Sequence, residues 1–238
     1  AIELSKILQS AKCKVNIIPI NSSELNQKSV NEKLGHLDGI LVAPGFGDRG
    51  IEGKISACKF ARENKIPFLG ICLGMQCAAI EFARNVIGLK GAHSTEMSKK
   101  TQYPIIDLME DQKKTSKLGG TMRLGSYECK IKKGSLLHKV YDELTINERH
   151  RHRYEFNNSY LDDINKHGLI NSGINTKTGL VEAIELKDHP WYIGVQYHPE
   201  YKSTVESPHP LFVEMVAACI TYRTKQQEEI ISASLKNS

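Results

Sequence analysis

An α/β fold is what this 238-residue sequence predicts, with a mostly parallel central sheet, helices on both faces and extra antiparallel strands. Three observations carry that expectation. Short β-rich apolar runs bounded by Gly, Pro, Asn or Asp recur early in the chain. Segments with helical spacing lie between them. The runs are continuous and do not alternate, as in strands buried on both faces.

Taken in order, residues 2–11 read as a helix, as if a first strand were missing and the sequence were cut from a longer polypeptide. VNIIPI (15–20), DGILVA (38–43) and IPFLGI (66–71) read as strands. KISACKFAREN (54–64) reads as a helix, with Ile55, Cys58, Phe60 and Ala61 near helical spacing. A second helix covers 73–87, with Met75, Ala78, Ala79, Phe82 and Val86 as its apolar stripe. The polar, lysine-bearing stretch 88–121 reads as loops outside the sheet. Strands follow at 122–131, 145–156, 180–186 and 191–197. A last helix, PLFVEMVAACITYR (210–223), puts Leu211, Met215, Ala218 and Tyr222 on one face. The expected organisation is one domain over 1–223 and a polar, fraying tail over 224–238.

Composition narrows the function. An apolar fraction of 40% and a charged fraction of 25% suit a globular core. No apolar run approaches the ~18 residues of a membrane span, and the first residues lack a signal-peptide core. The net charge of +5 is modest and interleaved with acids, so neither nucleic acid nor membrane is an expected partner. Six scattered cysteines without a CxxC pair indicate neither a zinc knuckle nor a disulfide scaffold, and a cytoplasmic location is the default.

GFGDRG (45–50) is a literal GxGxxG after a strand and before a helix. The dinucleotide fingerprint also needs an acid about 20 positions on, and the next strand ends in Gly70-Ile71-Cys72 without one. The loop is better suited to offering backbone N–H groups to another developing negative charge. Gly70-Ile71-Cys72-Leu73-Gly74 has the form of a nucleophile elbow with sulfur in place of oxygen. Its glycines relieve Cβ clashes on a strand-to-helix turn. The helix start favours an exposed thiolate of lowered pKa, and the Leu73 N–H is placed to meet an oxyanion. The alternative is a buried core cysteine, as most free cysteines are; Cys77 reads as one.

A cysteine nucleophile needs a base and the base an orienting group. In GVQYHPEY (194–201), His198 and Glu200 share one face if the segment is extended, and Pro199 stiffens it. His36, His138, His167 and His209 read as surface residues and His189 as a loop residue. In NERHRHRYEF (147–156), Arg149, Arg151 and Arg153 share one face of a strand, His150 and His152 the other. The run suits an anion clamp for a small carboxylate or a solvated edge strand; a metal site from the two histidines and a cysteine is a weaker option.

GICLGMQ (70–76) with HPE (198–200) resembles the class I glutamine amidotransferases. LGICLGMQ (69–76), HSTEM (93–97), LGGTMRLG (118–125), ERHRHRYEFN (148–157) and HPLF (209–212) are similar to the glutaminase domains of CTP synthases, in order along nearly the whole chain. The resemblance implies a glutaminase in which Cys72 is the nucleophile, His198 the base and Glu200 the orienting acid. Gly45, Leu73, Gly74, Met75, Gln76, Glu96 and Arg153 match positions that hold L-glutamine, with Gly45 and Leu73 as oxyanion donors. It implies no cofactor in this domain. Ammonia would pass to an N-terminal synthetase domain of the same polypeptide, which uses ATP and Mg to aminate UTP to CTP, with GTP as activator, in a homo-oligomer. One departure is Ala43-Pro44-Gly45 where the family has a further glycine; Pro44 has no N–H, so the chain must use Gly45 as the donor or have a weaker oxyanion hole. A γ-glutamyl hydrolase-like cysteine peptidase and a catalytically weak regulatory or assembly domain are the competing readings.

Overall fold

A computed structural model describes residues 13–108 and 122–236. Seven strands form one sheet: β1 (Ile40–Val42), β2 (Phe68–Ile71), β5 (Arg123–Ile131), β6 (Thr145–His152), β8 (Leu169–Asn175), β9 (Val181–Leu186) and β10 (Tyr192–Val195). Their order across the sheet is β1-β2-β10-β9-β8-β5-β6. β2 pairs in parallel with β1 and with β10, setting Gly70 opposite Gly194. The remaining pairings are antiparallel, so the extra antiparallel part outgrows the parallel part that the early apolar runs announced.

Helices cover both faces near β2. α2 (Ile51–Glu63) and α3 (Leu73–Phe82) pack on one side, where Phe68 stacks on Tyr192 with ring centroids 4.2 Å apart. On the other, Leu69, Ile71, Ile193 and Val195 meet Leu211, Phe212 and Met215 of α6 (Pro210–Lys236) and Leu137 and Val140 of α4 (Leu136–Tyr141). Each such buried side chain contributes roughly 1.5–3 kcal/mol. α3 is not amphipathic: all its residues are buried, and the expected helix past Phe82 continues as a π-helical turn, Ala83–Ile87. Its buried Glu81 is therefore paired, with Arg62 of α2 at 2.7 Å.

Several expectations are corrected. Residues 15–20 form no strand; Val15 and Ile17 only pack against the core. Within 88–108 lie β3 (His93–Ser94) and β4 (Pro104–Asp107), which join β7 (Glu155–Phe156) in a second sheet ordered β3-β4-β7. Strands of two and four residues are too short to show periodicity. The strand expected over 145–156 breaks after His152. β8, α4, α1 (Val30–Leu34) and α5 (Leu161–Lys166) had no clear signal; β8 reads LINSGIN, whose apolar residues do not alternate. α6 does not stop near 223 but runs on, exposed, to Lys236. The helix expected over 2–11 lies outside the described residues.

The sheet also curls. Val195 lies in mid-sheet, yet the N–H of His198 donates to the carbonyl of Arg149 on β6, four strands away, at 2.8 Å. Three residues reach ~10 Å, whereas four strand spacings in a flat sheet are ~19 Å. Only a curled sheet closes that gap.

Candidate active site

Cys72 alone makes the turn from β2 into α3, with φ 51° and ψ −103°, a left-handed region that costs a non-glycine residue of order 1–3 kcal/mol. The turn is fixed on both sides. The Cys72 N–H donates to Val195 O at 2.7 Å, and the Gln76 N–H donates to Cys72 O at 3.2 Å. The flanking glycines are required by close approach: a Cβ on Gly70 would lie 2.7 Å from the Gly74 carbonyl carbon, and one on Gly74 would lie 2.2 Å from Val42 O.

The thiol differs from the expected exposed thiolate. Cys72 is 3% exposed, and burial pushes its pKa up to about 12. The Leu73 N–H at the helix start pulls the other way but is outweighed, and Glu200, Glu155 and Glu96 add like-charge opposition. The resting sulfur is a neutral thiol. Cys77, also pushed up to about 12 by complete burial, is a core thiol as expected.

Beyond β10 the chain delivers the other groups. Gln196 places its side-chain amide nitrogen 3.7 Å from the Cys72 sulfur. His198 Nδ1 lies 2.6 Å from Glu200 Oε1, so Nδ1–H donates to the carboxylate and Nε2 carries the lone pair. That Nε2 is buried with no hydrogen-bond partner. The pairing does not come from an extended strand: Pro199–Lys202 is a 3-10 turn starting at the proline, and it brings Glu200 to the Nδ1 edge of the ring. Tyr201 stacks on the imidazole at 4.9 Å.

Around this centre the sequence-expected contacts fall into two groups. Gly45 lies beside the Leu73 side chain, since a Cβ on it would meet Leu73 Cδ2 at 3.3 Å. Glu96 accepts from Gly47 N–H at 3.4 Å and feels the charge of Arg153, while burial raises its pKa. Gly74, Met75 and Gln76, in contrast, are enclosed. Met75 packs on Gly194, and both hydrogens of the Gln76 amide nitrogen are used, on Tyr154 O and Gln196 Oε1, each at 3.1 Å.

The arginine run divides. Arg149 and Arg151 stand exposed on β6, but the strand ends before Arg153, whose buried Nε has no partner. A three-arginine clamp is not formed. On the inner face His150 and His152 join Arg123, Glu155 and Glu182 in a buried polar cluster. Arg123 pairs with Glu182 at 2.7 Å and Glu155 at 3.2 Å, and His150 Nδ1 is 2.7 Å from His152 Nε2. Burial, then the Arg123 charge, lowers these histidines to about 2 and about 3. No group of three His, Cys, Asp or Glu residues suited to a metal occurs among the described residues. His209, expected at the surface, is buried and 3.1 Å from Glu148. His189 lies in the loop between β9 and β10, as expected, and is buried there with its Nε2 3.1 Å from Ala61 O.

Residues 3–218 match the family profile described as glutamine amidotransferase class-I. The chain belongs to that family. A protein named CTP synthase from Christiangramia forsetii is 60% identical to this amidotransferase over 213 residues, which are 90% of this chain and 39% of the relative. One from Cytophaga hutchinsonii is 61% identical over 207 residues, 87% of this chain and 38% of the relative. The amidotransferase thus spans about two fifths of the length of these relatives. A solved Trypanosoma brucei CTPS glutaminase domain with bound acivicin superposes with a TM-score of 0.87 at 36% identity, covering 92% of this chain and 86% of that one. A solved structure named for GMP synthase, from Thermoplasma acidophilum, shares the fold at TM-score 0.60 and 20% identity, covering 94% of this chain and 90% of that one.

Among the described residues no helix is long and apolar enough to cross a membrane. Sequence reasoning passed over Gln196, although it stands two residues before His198 in GVQYHPE. Nothing in the spacing set it apart from a buried strand-end polar residue.

Proposed function

We propose that this chain hydrolyses L-glutamine to glutamate and ammonia through a γ-glutamyl thioester on Cys72. One observation carries the reading: the buried turn at Cys72 is hydrogen-bonded to the end of β10, the strand that leads directly to the His198–Glu200 pair. In the first step the thiol gives its proton to His198 Nε2 as the sulfur attacks the side-chain carbonyl carbon of glutamine. The oxygen takes the negative charge beside the N–H groups of Leu73 and Gly45. Collapse breaks the C–N bond, and His198 passes the proton to the departing nitrogen, releasing ammonia. A water then gives its proton to His198, its oxygen attacks the thioester carbon, and glutamate leaves as the thiol is restored. Because burial raises the thiol pKa, ionisation is coupled to attack and does not precede it.

Glu96 and Arg153 suit the ammonium and carboxylate of a free amino acid, which favours glutamine over a γ-glutamyl peptide with one end extended. Gln76, its donors already used, meets a ligand only as an acceptor. The likeness to a glutaminase domain that holds acivicin supports the same site assignment. The ammonia would serve a synthetase domain that uses ATP and Mg to convert UTP to CTP under GTP control, in keeping with the CTP synthase name of relatives that are longer than this chain. Pro44 in place of a glycine predicts slower turnover than in relatives with the extra N–H donor, and Pro44→Gly is expected to raise it.

Glutamate release by the chain, with and without Cys72→Ala, tests the hydrolytic reading. Release that survives in the variant overturns it. The synthetic role is tested in a polypeptide carrying both domains: Cys72→Ala should abolish CTP formation from glutamine and spare CTP formation from added ammonia.

A further inference from the structure

Three carboxylates, Glu200 on the segment after β10, Glu155 on β7 and Glu96 in the loop between β3 and β4, oppose a negative charge on the Cys72 sulfur electrostatically. The imidazole held by Glu200 is the neighbouring cation once it takes a proton. A thiolate in that setting requires hydrogen-bond donors, and the Leu73 N–H is one. We infer that Gln196 is a second: a catalytic residue whose side-chain amide donates to the Cys72 sulfur and stabilises the thiolate, its polarity set by the Tyr154 carbonyl acting through Gln76.

The direction of the chain follows from its end. A backbone carbonyl only accepts, so the atom of Gln76 that lies 3.1 Å from Tyr154 O is the amide nitrogen. The second hydrogen of that nitrogen then points at Gln196, whose oxygen accepts it at 3.1 Å. With its oxygen committed, Gln196 turns its nitrogen to the sulfur at 3.7 Å. Reversing the Gln196 amide would set two donors against each other at Gln76 and an oxygen against the sulfur. Neither glutamine can relax into solvent, since Gln76 is 3% exposed and Gln196 fully buried. The backbone holds the residue in place as well, its N–H donating to Glu182 O at 2.8 Å. One short segment thus delivers both a donor to the sulfur and, two residues on, the base.

The inference rests on Cys72 being the nucleophile, but its test reads sulfur ionisation with no glutamine present, so the two ideas fail separately. The rate of Cys72 alkylation by iodoacetamide at pH 8 is measured by peptide mass spectrometry in the unmodified chain, Gln196→Met and Gln196→Glu. Loss of a hydrogen bond to a charged sulfur is expected to cut the thiolate fraction about tenfold. Greater intrinsic nucleophilicity at higher pKa offsets part of this, leaving a rate about three- to fourfold lower in Gln196→Met. Gln196→Glu, which also adds a like charge, should be slower still. An unchanged rate in a Gln196→Met protein that melts like the parent overturns the inference. A merely structural role would lower the melting temperature and leave the rate of the folded fraction alone. Should neither variant fold, the side-chain amide of Gln196 is followed by NMR in the unmodified chain and in Cys72→Ala. A shift that tracks pH only when the sulfur is present supports the donor role, and none overturns it.

Discussion

The two ends of the seven-stranded sheet position the site by different means. At the β1–β2–β10 end the interior is mostly apolar, apart from the Glu81–Arg62 pair, and backbone contacts do the placing: Gly70 and Gly74 let α3 approach, and Cys72 N–H bonds Val195 O. At the β5–β6 end the interior holds Arg123, Glu155, Glu182, His150 and His152, with Arg123 paired to both carboxylates. Cys72 is therefore held by close packing, while the β5–β6 end rests on electrostatic pairing. The first tolerates no added volume and the second tolerates no missing partner.

Four experiments break or sharpen that contrast. Largest is the loss from Cys72→Ala, with glutamate release falling to background, on the order of 10⁴-fold or more below the parent; Cys77→Ala, on the same helix but in the core, should keep most of the activity. Next, Arg123→Met leaves two carboxylates buried without their cation and is expected to cost about 3–5 kcal/mol in a urea titration. Combining it with Glu182→Leu should recover part of that loss; no recovery would mean that the charges of this end do not act as pairs. Gly74→Ala drives a methyl group into the Val42 carbonyl and should cost about 2–4 kcal/mol, with Gly179→Ala at an open turn costing less.

The smallest effect is a pH dependence. His150 and His152, lowered by burial, are neutral in the fold and protonate in the unfolded chain near 6.5. Their contribution is present above 6.5 and is lost as pH falls toward about 3 and 2. Glu155, raised to about 8 by burial, has the opposite sign: its contribution is present below about 4.5 and is lost as pH rises through 8. The two oppose each other between 4.5 and 6.5, so the histidines act alone below that window. His152→Gln should flatten the acid loss there by of order 1 kcal/mol per pH unit, read from urea midpoints at several pH values.

Much of the apolar end was legible. IPFLGI, the elbow glycines and the helices over 54–64 and 73–87 are local patterns whose chemistry does not wait for partners. At the polar end β5, β6 and β9 were legible as strands, but β8 between them was not, because it reads LINSGIN without a period. In the second sheet β3, β4 and β7 are too short for a period, so their pairing is decided by distant strands. His209 looks like a surface residue until Glu148 and Tyr141 are brought to it.

The residue types at the centre were determined by sequence alone: a sulfur between two glycines and a histidine one proline from a glutamate. Only the folded chain decided that the Cys72 sulfur is buried and its pKa raised, that His198 and Glu200 meet across a 3-10 turn, that Arg153 leaves the other arginines, and that Gln196 touches that sulfur. The reason is physical. Residue chemistry and backbone permissiveness are local properties, whereas desolvation and hydrogen-bond direction depend on every atom packed around a group.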